Sequence, residues 1–177
     1  MRDEARCGLH TELRRVWPVR GQRPVVRRQI KDQWDYLYGA LSLIGGEAHF
    51  AHVPGVGLDW AASSVRDLAA TAPEVTHVLV RDQAGFHLRD GDPRLPAQVR
   101  VIDLPPYCPE LNPCEQLWDI LKDDLANHVF PSIQKLRASM KDTRRRFRES
   151  ASAVLSLIGR AWFTAPLNAS PKSQLSS

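Results

Sequence analysis

No feature constrains this chain more than Leu104 to Lys122, LPPYCPELNPCEQLWDILK, which passes from an extended segment through a stiff loop into a helix. Pro105, Pro106 and Pro109 fix φ and hold the residues before them extended. Asn112 is a good N-cap, Pro113 suits a first helical position where no N–H is needed, and Glu115 stands three residues after the cap, as in a capping box. Leu117, Leu121 and Leu125 then recur every four residues with Trp118 beside them, so one apolar face is expected to lie on a core. Glu115 falls in the first turn of that helix, either as the reciprocal partner of the cap or as a functional carboxylate.

The remaining patterns place this element in an α/β domain. Asp3 to Leu9 alternates, with Asp3, Ala5, Cys7 and Leu9 on one side of a strand and Glu4 and Arg6 on the other. The following RRVWPVRGQRPVV has a turn from Pro18 to Gly21 and reads as a hairpin-like excursion. Trp34 to Ile44 and Ala48 to Val53 flank Gly45-Gly46 as two antiparallel strands. Asp59 to Ala70 carries Trp60, Val65, Leu68 and Ala69 at helical spacing before Pro73. Val75 to Val80 and Val99 to Leu104 are further strands, the first ending just before Asp82, at the kind of edge where α/β folds build sites. Pro131 opens one long helix with Ile133, Leu136, Met140 and Phe147 inward, and Ala151 to Phe163 forms a last one.

Composition narrows the class. A chain of 177 residues, 43% hydrophobic and 25% charged, supports one main domain and excludes a fibrous or wholly disordered protein. A net charge of +4 permits a polyanionic partner. Lys135, Arg137, Lys141, Arg144, Arg145, Arg146 and Arg148 concentrate that charge, as a solvated helix face or as a phosphate-binding one. Cys7, Cys108 and Cys114 show neither zinc-site nor disulfide spacing, and the longest uncharged run, Tyr36 to Gly46, is too short to span a bilayer, so a cytoplasmic protein without membrane contact is expected.

LPPYCPELNPCEQLW resembles the signature of DDE transposases of the mariner superfamily, especially their bacterial insertion-sequence branch, the IS six-thirty family. RDEARCGL resembles that family's first-strand motif and DQAGFH its DxAxxH segment. Cys108 stands where serine is common and Cys114 where an aliphatic residue is common. The resemblance implies an RNase H-like fold, a mixed central β-sheet flanked by helices, over residues 1–163; the Ser- and Pro-containing stretch 164–177 is expected from its composition to be a mobile tail. It makes Asp3, Asp82 and Glu115 the catalytic carboxylates, with 32 residues between the last two. His87 becomes an accessory group near substrate or metal-bound water, or else a structural hydrogen bonder.

Three carboxylates of this kind suit Mg²⁺ or Mn²⁺, and two such ions about 3.5–4 Å apart activate an attacking oxygen and stabilise a leaving one. The implied partners are double-stranded DNA, as transposon ends and target, and a second copy of the chain in a homodimer. Relatives of this kind carry helix-turn-helix modules ahead of the catalytic domain, whereas Asp3 is the third residue here. The expectation is therefore binding without end specificity and weak turnover. Two other readings stand beside the transposase: a truncated remnant that binds DNA without turnover, and an unrelated RNase H-like nuclease, which leaves LPPYCPELNPCEQLW unexplained.

Overall fold

Alternation in the first strand decides where the core lies. The computed structural model describes residues 1–159. In β1 (Arg2–Gly8), Asp3, Ala5 and Cys7 are buried, and Leu9 continues that side, while Arg6 is exposed. β1 runs antiparallel to β2 (Trp34–Leu41), with Asp3 opposite Gly39, and β2 runs antiparallel to β3 (Ala48–Val53). Gly46, at φ 75°, makes the turn between β2 and β3, and the Ser42 hydroxyl accepts the Gly45 N–H at 3.1 Å. Residues 9–33 form the expected excursion without helix or strand. Leu9 N–H to Gln33 O (2.9 Å) and Thr11 N–H to Gln29 O (3.0 Å) close its base.

α1 (Leu58–Ala69) crosses to β4 (His77–Arg81), which pairs in parallel with β5 (Val99–Asp103). Val65 and Ala69 of α1 pack with Leu79 and Val99 in a small core of their own. Trp60, read from spacing as part of the helix's apolar face, is 43% exposed; Ala61, Ala62, Ser64, Val65 and Ala69 form the buried stripe. Small side chains let the helix approach the sheet, and the indole does not fit there.

β1 and β4 approach one another, but no ladder joins them among the described residues. The expected mixture of parallel and antiparallel pairing is thus present as a three-stranded antiparallel sheet beside a two-stranded parallel one. Charged side chains line the approach. Buried Arg2 donates to Ser64 Oγ at 2.7 Å, and buried Arg81 donates to Leu88 O at 2.6 Å and pairs with Asp103 at 3.1 Å.

The main core lies on the other side of β1. There α2 (Cys114–Leu125) sets Cys114, Leu117, Trp118, Leu121 and Leu125 against β1 and β2. The helix expected from Pro131 to Arg148 is two: α3 (Ile133–Ser139), capped by the Ser132 hydroxyl, and α4 (Lys141–Glu149). The break falls at Met140, φ −80° and ψ −1°, and the Arg144 guanidinium spans it, donating to Met140 O at 3.3 Å and Arg137 O at 3.1 Å. Leu136, Met140 and Phe147 are buried as their spacing predicts. α5 (Ala151–Ile158) buries Val154 and Ile158. Its expected extension to Phe163 and the tail at 164–177 lie outside the described residues. No described helix is long and apolar enough to cross a membrane.

Candidate active site

The loop before α2 borders a cleft of about 400 Å³. It is lined by Leu104 to Pro109, Asp82 to Ala84, Asn112 and Glu115; the proline segment bends, with Tyr107 at a left-handed φ of 60° and a short 3-10 turn over Pro109–Leu111. Asn112 is extended and its Oδ1 accepts the Cys114 N–H at 3.2 Å, so it caps the helix as its sequence context predicts. The reciprocal half of the capping box is missing: the Asn112 N–H donates to Pro109 O at 2.9 Å, not to Glu115. The Glu115 carboxylate is thereby left to the cleft.

Asp82 follows directly on β4, and its carboxylate accepts the Ala84 N–H at 3.2 Å, which fixes the start of the turn. Asp82 and Glu115 therefore face one space, although they belong to different elements. Asp3 is not part of the cleft lining. It is only 6% exposed, and its Oδ2 accepts the Trp118 Nε1–H at 2.9 Å from α2. Among the described residues no three Asp, Glu, His or Cys side chains stand close enough together to hold one metal ion.

Electrostatics nevertheless couples these acids. Burial, then the charge of Glu4 and more weakly that of Glu115, pushes the Asp3 carboxyl up to about 7, against the opposing effect of the Trp118 hydrogen bond. Burial also raises Glu115, and Asp119, Asp82 and Glu4 add to the rise while Lys122 opposes it. Glu4, on the opposite side of β1 from Asp3, is pushed up to about 7 by burial despite Arg2 and Arg81 nearby. Carboxylate oxygens are the donors that Mg²⁺ or Mn²⁺ takes, and Asp82 and Glu115 offer them to one cleft, while Asp3 stands outside its lining.

His87 is buried, and its ring nitrogens meet two acids. Nε2 is 3.0 Å from both Glu4 carboxylate oxygens, and Nδ1 is 3.0 Å from Asp82 Oδ1 and 3.2 Å from Asp82 O. Sequence spacing singled out His87 but not Glu4, whose partner lies 83 residues away. Trp118 and Gly39 also escape a reading by spacing. Trp118 looks like one more core residue, yet its N–H holds Asp3. Gly39 has no side chain because a Cβ there would stand 2.4 Å from the Trp118 ring.

The basic run divides by environment. Lys135, Lys141, Arg145, Arg146 and Arg148 are exposed. Arg137 instead donates through Nε at 3.0 Å to Asp35, which is fully buried and also 2.8 Å from His52 Nδ1. Arg144 is occupied by the carbonyls at the α3–α4 joint.

Comparison with known proteins agrees with this architecture. The family described as DDE superfamily endonuclease matches residues 1–137. The uncharacterized protein y4pE/y4sA of Sinorhizobium fredii (strain NBRC 101917 / NGR234) is 31% identical over 101 residues, covering 55% of this chain and 73% of that protein. Among solved structures, the Mos1 mariner paired end complex with Mn is similar at a TM-score of 0.59 and 13% identity, over 90% of this chain and 53% of that one. A pre-cleavage Mos1 transpososome is similar at a TM-score of 0.57 and 13% identity, over 88% of this chain and 54% of that one. At such identities the likeness shows the fold, the RNase H-like α/β class expected from the sequence. The chain spans about half the length of those transposase chains.

Proposed function

Because the chain belongs to the DDE superfamily of endonucleases, we propose that it is a transposase catalytic domain that cuts transposon ends and joins them to target DNA. The observation that carries this reading is the cleft in which Asp82 and Glu115 meet, with Asp3 electrostatically coupled to Glu115 from the adjoining strand. Asp3, Asp82 and Glu115 would hold Mg²⁺ or Mn²⁺, as one ion or two. Bound there, a divalent ion would supply positive charge to the scissile phosphate and to the attacking oxygen.

The protein's own groups do the rest. The Leu104–Pro109 wall gives the scissile strand a surface that does not need ordering on binding. Exposed Lys135, Lys141, Arg145, Arg146 and Arg148 neutralise duplex phosphates without reading sequence. No side chain has to become a covalent nucleophile, since water or a DNA 3′-hydroxyl attacks in line. The reading extends to double-stranded DNA as substrate, a homodimer as the active assembly and the cytoplasm as its place.

A second reading, a DNA-binding module without turnover, is favoured by one observation: Asp3 is turned to Trp118 and is missing from the cleft lining. Nicking of supercoiled plasmid separates the two. The transposase reading expects Mg²⁺-dependent nicking that falls at least about a hundredfold in Asp82→Ala and Glu115→Gln. Equal nicking by wild type and Asp82→Ala sinks it, and DNA binding without any wild-type nicking selects the binding module.

A further inference from the structure

We propose that Glu4 and His87 act as a positioning pair that fixes the Asp82 carboxylate and ties its loop to the strand bearing Asp3. The inference rests on the reading of Asp82 as a metal ligand and gives His87 and Glu4 a role within it.

The need for such a device comes from the sheets. Asp3 is on β1 and Asp82 directly follows β4, yet no backbone ladder joins β1 to β4 among the described residues. Ladder hydrogen bonds would set the strands' relative positions residue by residue. Here side chains must do so, and the Glu4–His87–Asp82 chain crosses from one strand to the end of the other. Glu4 Oε1 and Oε2 are both 3.0 Å from His87 Nε2, and on the opposite edge of the ring Nδ1 is 3.0 Å from Asp82 Oδ1 and 3.2 Å from Asp82 O.

The two ends of this chain are unlike. The His87 side chain is 1% exposed and that of Glu4 9%, whereas Asp82 is 54% exposed. The imidazole is immobilised inside, edge-on to Phe86 with ring centroids 4.8 Å apart, and Glu4 is flanked by the cations of Arg2 and Arg81. A rigid interior group thus stands against one side of Asp82, hydrogen-bonded to its carbonyl oxygen and 3.0 Å from Oδ1, which also accepts the Ala84 N–H, while the side chain is open to the cleft. A partner outside the ligand shell, oriented by its own buried acid, holds a metal-binding side chain in one rotamer. Alternation along β1 gives the two neighbouring acids separate tasks: Asp3 points toward α2, and Glu4 toward the Asp82 loop.

The test is calorimetric titration of the whole chain with Mn²⁺, at a temperature well below metal-free melting, for wild type, Asp82→Ala, His87→Gln, His87→Asn, Glu4→Gln and Glu4→Gln/His87→Gln. Far-UV circular dichroism verifies the fold of each. His87→Asn retains the reach toward Asp82 and His87→Gln the reach toward Glu4, so both break the chain without emptying the site. Each should weaken Mn²⁺ binding by roughly 10–100-fold. The double variant should bind about as weakly as His87→Gln, because the two side chains act as one unit.

Folded His87 variants that bind within about twofold of wild type overturn the proposal while leaving Asp82 as a ligand. Wild-type binding by Asp82→Ala overturns the ligand assignment, and the pair with it. If the His87 variants do not fold, Glu4→Gln, which keeps shape and removes charge, decides by the same measurement.

Discussion

Arg137→Ala tests whether the basic run is one functional surface or a set of residues with separate tasks. Asp35 is sealed in the core and accepts from Arg137 and His52. Hydrogen bonds to a charged group contribute about 1.5–3 kcal/mol, and breaking a fully buried ion pair costs about 3–5 kcal/mol. Arg137 is 41% exposed, and His52 remains as a donor at 2.8 Å, which brings the cost down to about 2 kcal/mol. For a chain of this size that lowers the melting temperature by roughly 4–8 °C.

The effect should also depend on pH with a definite sign. Burial raises the Asp35 pKa, but the hydrogen bonds from His52 and Arg137 outweigh it, and the carboxyl sits below its ordinary value. Its contribution is therefore complete at neutral pH and is lost as pH falls through the folded-state value, so the gap between wild type and Arg137→Ala should narrow on acidification. Thermal melts across pH and a salt titration of DNA binding give the two readouts. An unchanged melting temperature, together with a log K against log salt slope shallower by about 0.9, would mean that Arg137 serves DNA and not Asp35.

Gly39→Ala forces a methyl to 2.4 Å from the Trp118 ring, and overpacking of this kind should cost about 1–3 kcal/mol by denaturant melts and slow nicking by displacing the Asp3 partner. Replacing Arg145, Arg146 and Arg148 with alanine should make the salt slope of duplex binding shallower by up to about 0.9 per lost phosphate contact, while Arg144→Ala should lower stability and leave the slope alone. Burial holds both Asp3 and Glu4 up to about 7, so their protonated forms favour the folded state below the ordinary carboxylate range, and this contribution is lost as pH rises through about 7. Metal-free melting should show that loss, and Asp3→Asn should flatten part of it.

Local pattern carried the reading far where neighbours in sequence are neighbours in space. Alternation from Asp3 to Leu9, the turn before β3 and the Asn112 cap all act over a few residues, and each appears where the residues call for it. The cap reading stopped short at Glu115, since spacing alone does not tell a capping carboxylate from one that faces a cleft. The long-range pairings were not legible. Asp35 draws in Arg137 from 102 residues away, Asp3 meets Trp118 at 115, and Glu4 meets His87 at 83. The break at Met140 has no glycine or proline to announce it; its carbonyl finds a donor in Arg144, a residue that composition assigned to a basic face. Trp60, left partly exposed, shows the converse, because helical spacing names an apolar face without knowing how close the sheet will come.

An anomalous-scattering map from crystals of this chain soaked in Mn²⁺ tests whether the three carboxylates hold a metal. The expected result is a peak in the cleft with oxygens of Asp82 and Glu115 about 2.1–2.2 Å away and Asp3 released from Trp118 to join them. No peak at millimolar Mn²⁺, or one bound elsewhere on the chain, would contradict the assignment of Asp3, Asp82 and Glu115 as the site that holds the metal.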